Sequence, residues 1–458
     1  MPHRNLMVLL AAAVLSILCH HRVESNRYGR ILSDALRQIE RRYVQPVEPK
    51  DLFDGAMEGM LGVLNDPYSR FVTSAELNEF NESLNQEFGG VGMEVSQDAK
   101  TKQLRVVSPL FGTPAYQAGI RAGDRILRIE GQATDQLALI DAVRLMRGQP
   151  GTTVTLEVLH VGAAEPVELL LRRRQIPIDT ILGDTRNQDG TWNFTLEDHP
   201  EIGYVRINAF SHETASHLRK VLQALLDGGM EKLILDLRND PGGLLDAAVA
   251  LSDMFIREGL IVSVRRRDRS EDFIAAGAGV LRDFPLVILV NQHSASASEI
   301  FAACLKDHGR AKIAGQRTYG KGTVQQVVDL EGGLGAIKLT TADYWRPNGR
   351  NINRSPDSTD EEDWGVCPSP GLEVVLDDEE FAKFRIWRLR RDVPQGSEPE
   401  EVEGDEDGND EDGNDEDGND EDGNDEDGGE EDNSQAEPDA NFVDRQLARA
   451  VEYLTGNL

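Results

Sequence analysis

The sequence predicts an α/β protein with a β-rich module set between a helical N-terminal region and the main core. Three observations carry that expectation. Apolar runs at residues 202–207, 232–237 and 285–290 alternate with amphipathic stretches at 215–226, 244–255 and 300–305, the strand–helix alternation of an α/β core. Residues 88–174 hold short alternating strands separated by glycine turns. Residues 26–87 repeat apolar side chains at helical spacing. A chain of 458 residues has room for two or three domains, and its 39% hydrophobic content is ample for their cores.

From the N-terminus, residues 1–25 read as a signal peptide or membrane anchor. Arg4 precedes an apolar run of 14 residues, 6–19, too short for a spanning helix and of the length of a secretory hydrophobic core. No small-x-small cleavage site follows it, and Leu18 before Cys19 is too large for a lipid-attachment box. A cleaved signal and an uncleaved anchor both stand; either way the expected location is outside the cytoplasm, in the periplasm or cell envelope. The three cysteines, Cys19, Cys304 and Cys367, make no disulfide framework, and Cys304 falls on an apolar helix face as core. In residues 26–87, Ile31, Leu36, Ile39 and Tyr43 recur at helical spacing, as do Leu52, Met57, Met60 and Leu61, and residues 65–69 make a turn.

Residues 88–174 open with Phe88-Gly89-Gly90-Val91-Gly92-Met93 and continue through Ala122-Gly123-Asp124-Arg125-Ile126, a helix at 137–147, a turn at 148–152 and strands at 154–158 and 167–171. This succession resembles a PDZ domain. Successive N–H groups of a glycine-rich turn can capture a terminal carboxylate, and the adjoining strand can pair with the rest of the peptide. Gly89, Gly90, Val91 and Gly92 are the expected carboxylate-binding turn. A module that only tethers the core is the plainer alternative.

The core begins after residue 174. The strand at 232–237 runs into Arg238-Asn239-Asp240-Pro241-Gly242-Gly243, a tight turn whose glycines let backbone amides approach a reacting carbonyl or merely cap the next helix. The strand at 285–290 runs into Ser294-Ala295-Ser296-Ala297-Ser298 and then a helix, so Ser296 sits where a helix's free N–H groups face developing negative charge. A serine needs a base to become a nucleophile. His293, three residues before it, His308 near the helix C-terminus, and Lys321 in Tyr-Gly-Lys-Gly-Thr are the available groups. A buried lysine with a lowered pKa can do that work.

The stretches SASASEIFAA, KDHGRAKIAG and TYGKGTVQQ together resemble the core of the carboxyl-terminal processing peptidases, also called tail-specific proteases. The resemblance covers about residues 28–390 and the end of the chain. It implies a ClpP/crotonase-like catalytic core at 175–393 and a serine endopeptidase. Residue by residue, it makes Ser296 the nucleophile, Lys321 the general base and Gln325 the residue that orients the lysine. Asp307 falls on a supporting acidic position. Ala297 and Gly243, with Gly242 as second choice, supply the oxyanion hole. It further implies polypeptide substrates chosen by accessible C-termini and no metal or organic cofactor. The N-terminal helices make a homodimer contact in some members, and a plain helical cover for the core is the alternative; a regulatory adaptor stands as an open partner.

The net charge of −33 is dominated by residues 398–432, which hold 22 Asp or Glu and no Lys or Arg; −33 + 22 leaves −11 for the remainder. No basic patch points to nucleic acid. Residues 394–437 carry one GDEDG and four NDEDG pentads, a composition that buries nothing and is expected to be a disordered insertion. Its Asp-x-Asp-Gly units resemble calcium loops but lack the bidentate glutamate and flanking helices. Phe442, Leu447, Val451 and Leu454 then mark a terminal helix within 438–458. The stretch 355–367, with five acids, reads as a surface loop. Two other functions compete: a silent PDZ scaffold, which would lack a nucleophile or base, and a crotonase-like acyl-CoA enzyme, which would need no PDZ module.

Overall fold

The computed structural model describes residues 27–74, 76–77, 87–98, 101–110, 112–187, 190–277, 281, 283–355, 357–359, 361–392 and 442–456. The expected signal or anchor at 1–25 and the acidic tract at 394–437 lie outside the described residues. The chain divides into two compact units, residues 1–79 with 324–341 and residues 80–323 with 342–458.

In the first unit, helices Arg27–Arg42 and Pro49–Gly62 lead to strand Arg70–Thr73, which pairs antiparallel with residues 335–338. Phe53, Met57 and Leu61 from one face of the second helix meet Phe71, Leu330, Ile337 and Leu339. The Phe53 and Phe71 rings stand edge to face at 5.8 Å. The first helix differs from this pattern. It has the expected apolar stripe but buries no residue, and Ile31, Ile39 and nearby Tyr43 are exposed.

The β-rich module opens the second unit. Strands Met93–Gln97, Leu104–Pro109, Arg125–Ile129, Thr153–Leu159 and Val167–Arg172 form an antiparallel sheet in that order. Leu104, Val106, Ile126, Ile129, Val154, Leu156 and Val158 alternate inward onto Ala142 and Met146 of helix Leu139–Met146. Glu87–Gly90 pairs antiparallel with Arg174–Pro177, so the entry and exit of the module are zipped together.

Among the described residues, the core sheet has six strands: four parallel ones lie side by side in chain order, and the short strands Ile181–Leu182 and Thr195–Leu196 pair antiparallel with the first of them. Strand β1 (His199–Ile207) is followed by helix α1 (Thr214–Asp227), β2 (Lys232–Asp236), α2 (Leu245–Asp253), β3 (Leu286–Val290), α3 (Ala297–Asp307) and β4 (Lys312–Gly315). Every residue of β3 is buried, as a strand covered on both faces requires. Helix α4 (Asp378–Asp392) and helix α5 (Arg445–Thr455) complete it. Leu447, Ala450, Val451 and Leu454 of α5 pack on Ile202, Tyr204, Ile234, Val287 and Leu289. The terminal helix, which lies beyond the acidic tract, is therefore a layer of the core. At about 25 cal/mol per Å², four such side chains are worth several kcal/mol.

One expectation is corrected. The stretch 355–367 is only half a surface loop. Asp357 and residues 361–363 are exposed, but Trp364, Gly365 and Val366 are buried. Trp364 is flanked by the guanidinium groups of Arg317 and Arg354 at 4.4 and 4.6 Å from its ring centroid, so apolar packing overrides the acidic composition beside it.

Candidate active site

Three loops leave the carboxyl ends of the adjacent strands β2, β3 and β4, where open α/β sheets place their sites. The β2 loop carries Gly242 and Gly243, the β3 loop Ser296, and the β4 loop Lys321. Residues up to 79 apart in sequence converge there because their strands are hydrogen-bonded neighbours.

Polar side chains stitch the first two loops together. Asn291 donates to Asn239 Oδ1 at 2.9 Å and accepts the Asn239 N–H at 2.9 Å. Ser294 Oγ donates to the Leu237 carbonyl at 2.8 Å, and Ser298 Oγ donates to the Asp240 carbonyl at 3.0 Å. Ser294 and Ser298 are fully buried by these duties, whereas Ser296 between them stays half-buried. Ser296 also has φ 57° and ψ −113° at the N-cap of α3. A serine in that region is strained by about 1–3 kcal/mol, which the surrounding bonds must hold in place.

The holding group is Glu299, which sequence analysis did not single out. Its buried carboxylate accepts from Ser296 N–H (2.8 Å), Lys321 N–H (2.8 Å), Gly320 N–H (2.7 Å) and Thr318 Oγ1 (2.6 Å). One carboxylate thus ties the nucleophile's backbone to the lysine's. Burial pushes the Glu299 carboxyl up, and these four donors work against that shift. The signal was present as Ser296-x-x-Glu299, the spacing of a capping box, three residues into an apolar helix.

Lys321 is half-buried, and burial holds its amine below the usual lysine range, with the Glu299 charge opposing. The flanking glycines are needed for close packing. A Cβ on Gly322 would lie 2.2 Å from Asn353 N, and one on Gly320 would lie 2.7 Å from Arg354 Cβ. Gln325 lies on strand Thr323–Asp329 and donates Nε2 to Thr340 Oγ1 at 3.2 Å.

The neighbouring glycines differ in what their amides do. Gly242 donates its N–H to Asp240 Oδ1 at 2.8 Å, so that amide is already engaged. Gly243, at φ 144°, is backed against Phe210, with Leu244 N–H donating to the Phe210 carbonyl at 2.7 Å. A Cβ on Gly242 would fall 2.7 Å from Ala297 N, so the glycine turn and the first residue of α3 are in direct contact. Ala297, as the first helical residue, has an N–H without an intrahelical acceptor.

Asp307 ends α3. With 11 residues at about 1.5 Å each, it stands roughly 16 Å along the helix from Ser296. It takes Arg346 through both oxygens, at 3.1 and 2.6 Å, and both side chains are buried. Arg346 also donates to the Gly365 carbonyl at 3.1 Å. Val366 N–H in turn donates to Thr318 Oγ1 at 2.8 Å, so the pair braces the wall that holds Glu299. His308 caps the same distant end of α3 and meets the Leu260 carbonyl at 2.8 Å. The His293 ring stacks on Phe381 at 5.1 Å. Each imidazole is occupied by another element of the fold.

Behind the β2 loop, Arg238 is buried and donates to Asp236, to Asp444 at 2.9 and 2.8 Å, and to Gln446 at 3.2 Å. Asp444 and Gln446 belong to the start of α5, so the terminal helix completes the base of the glycine turn. Among the described residues, no group of three or more His, Cys, Asp or Glu side chains is placed to hold a metal ion.

In the β-rich module, the turn is shorter than the glycine run implied. Gly89 and Gly90 lie in the strand zipped to Arg174–Pro177, which leaves Val91 and Gly92 as the bend. The Val91 carbonyl accepts Ala115 N–H at 2.9 Å. The Gly92 carbonyl accepts Leu110 N–H and Thr113 Oγ1, at 3.0 and 2.7 Å. In a trans peptide the C=O and the next N–H point in opposite directions. The Gly92 and Met93 amides therefore point away from residues 110–115. Gly92 has φ 76°, and a Cβ there would lie 2.4 Å from Thr113 Cβ.

The family model of peptidase family S41 matches residues 201–360, which span all three loops. A PDZ domain model matches residues 105–159, and a model of the activating protease CtpB N-terminal domain matches residues 21–75. A carboxyl-terminal-processing protease of Synechocystis sp. is 36% identical over 321 residues, covering 69% of this chain and 72% of its own. A carboxy-terminal-processing protease of Bartonella bacilliformis is 35% identical over 337 residues, covering 72% and 74%. Among solved structures, a photosystem II D1 C-terminal processing protease is 30% identical with a TM-score of 0.44, covering 75% of this chain and 92% of its own.

Proposed function

Since the chain belongs to peptidase family S41, the carboxyl-terminal processing serine proteases, we propose that it cleaves polypeptides with a Ser296–Lys321 dyad and selects them by their C-termini. The observation that carries this is Glu299, whose carboxylate binds the backbone N–H of both Ser296 and Lys321. Neutral Lys321 takes the proton from Ser296 Oγ as the oxygen attacks the peptide carbonyl. The oxyanion is received by the Gly243 and Ala297 amides, because Gly242 N–H is already given to Asp240. The tetrahedral intermediate expels the amine, which takes the proton from Lys321. Water then attacks the acyl-enzyme, with Lys321 again the base. Gln325 serves as an orienting residue.

The lysine needs its neutral form, and burial favours that form. Activity should therefore rise with pH through the lowered amine pKa. The substrate's C-terminal carboxylate docks on the Gly92 and Met93 amides, and the peptide extends along strand Met93–Gln97. The apolar run at residues 6–19, read as part of a signal peptide or membrane anchor, supports action outside the cytoplasm. Among the described residues, no helix is long and apolar enough to cross a membrane.

The test is degradation of an unfolded reporter with an apolar C-terminus by wild type, Ser296→Ala and Lys321→Ala, with a tail-amidated reporter as control. Wild type should cleave, both variants should fall by about 10⁴-fold or more, and amidation should weaken cleavage. Cleavage surviving in Ser296→Ala would remove the nucleophile assignment. Equal cleavage of both reporters would remove tail selection and leave the dyad standing.

A further inference from the structure

Asp240 lies on the glycine loop after β2, bonded through its carbonyl to the loop after β3, and the mechanism above gives it no chemical part. Its carbonyl accepts Ala295 N–H and Ser298 Oγ, both at 3.0 Å. Its side chain is wholly buried. Oδ1 accepts Gly242 N–H at 2.8 Å, while Oδ2 is buried and meets no donor among the described residues. A carboxylate has about four acceptor sites, so the ionised form would rest a full buried charge on the Gly242 N–H and a nearby Ser298 hydroxyl that already serves the Asp240 carbonyl.

The charged groups on the surrounding elements are committed elsewhere. On its own loop, Arg238 serves Asp236 and Asp444. On α3, Glu299 receives the Ser296, Gly320 and Lys321 amides and Thr318 Oγ1. Lys321 follows β4, and its ammonium is itself disfavoured by burial. Asn239 and Asn291, across the turn, are neutral and hold each other. With no cation to offset it, burial pushes the Asp240 carboxyl well above the usual carboxylate range.

We propose that Asp240 is a positioning residue that works as a neutral carboxylic acid: Oδ1 sets the Gly242 peptide, and the lack of charge keeps the adjacent hole receptive to an oxyanion. The proposal rests on the assignment of Gly243 and Ala297 as the donors. A carboxylate at Asp240 would stand two residues before Gly242, which packs on Ala297 N, and it would repel the developing charge in a water-poor site.

The experiment compares wild type, Asp240→Asn and Asp240→Leu as full chains. Asn keeps the acceptor and the shape but never ionises; Leu lacks both charge and acceptor. The first readout is thermal and denaturant unfolding from pH 5 to pH 8, which does not depend on the identity of nucleophile or hole. An unfolded aspartate ionises near pH 3.9, whereas the folded one stays neutral to higher pH. The unfolded state thus binds fewer protons, and wild-type stability is lost as pH rises toward the folded pKa. Relative to Asn, the wild-type unfolding constant should grow about tenfold per pH unit across that window. A gap independent of pH would overturn the proposal.

The second readout is kcat against pH with a peptide substrate. Asn should match wild type near neutrality and escape the alkaline fall that ionisation of Asp240 imposes. Leu should lose about tenfold in kcat with the same escape. A Leu variant as active as Asn would overturn the positioning role, and a tenfold loss in Asn would show that the charge is used. Activity retained in Ser296→Ala would overturn the proposal through its premise and leave the unfolding result intact.

Discussion

The two turns proposed to present backbone amides to a negatively charged oxygen are built very differently. The Gly242-Gly243 turn, together with Ala297, is embedded in buried polar bonds: Asn239 to Asn291, Ser294 to Leu237, Ser298 to Asp240 and Arg238 to Asp444. The Val91-Gly92 turn hangs from three bonds to one short stretch, residues 110–115, at the edge of a sheet. The contrast matches the two proposed tasks. A transient oxyanion must be met without reorganisation, so its donors are over-determined. A permanent carboxylate arrives already charged and needs only an aimed pair of donors.

Breaking the first turn should have the largest effect. Gly243→Ala places a Cβ 2.2 Å from the Phe210 carbonyl at φ 144°, so the peptide must move. Loss of one donor predicts a fall of roughly 10²–10³ in kcat, with KM for tailed reporters little changed. A kcat within threefold of wild type would take Gly243 out of the hole. Glu299→Gln tests how the first turn is kept aligned with the lysine. Each Glu299 oxygen accepts two donors, so an amide nitrogen at either place confronts two N–H or O–H groups. We expect about 2–4 kcal/mol lost on unfolding, and a kcat deficit that persists at temperatures where the variant is fully folded. A deficit that vanished there would make Glu299 a stabilising residue alone.

The smallest effect should come from the second turn. Gly92→Ala forces a Cβ within 2.4 Å of Thr113 Cβ at φ 76°. Cleavage of a tailed reporter should drop about tenfold through KM, while a short untailed peptide is cut as before. Equal losses on both substrates would mean that the module shapes the catalytic centre and does not choose substrates.

Much of this was legible from residue order. Ser296 stands at a strand-to-helix junction, Lys321 is flanked by glycines, and each central strand ends where its loop begins. These are local patterns, and local chemistry enforces them. Glu299 was missed because Ser-x-x-Glu reads as an ordinary helix cap. The unequal duties of Ser294, Ser296 and Ser298 were not legible at all. All three share one spacing, and only the partners at Leu237 and Asp240, 58 residues or so away, tell them apart. The buried end of the 355–367 stretch escaped notice because its acids come first and Trp364 needs Arg317 and Arg354 beside it.

By itself the sequence determined the order of elements, the α/β core, the glycine turns and the residue types that can attack, deprotonate and donate. Periodicity, turn preference and side-chain chemistry are properties of neighbours along the chain. Tertiary structure alone decided that the terminal helix closes over β1, β2 and β3, and that Arg238 meets Asp444 206 residues away. It also decided that Asp307 braces Arg346 and that Asp240 is buried without a counter-charge. Burial and long-range pairing depend on which elements meet in space, and no stretch of chain carries that information about its eventual partners.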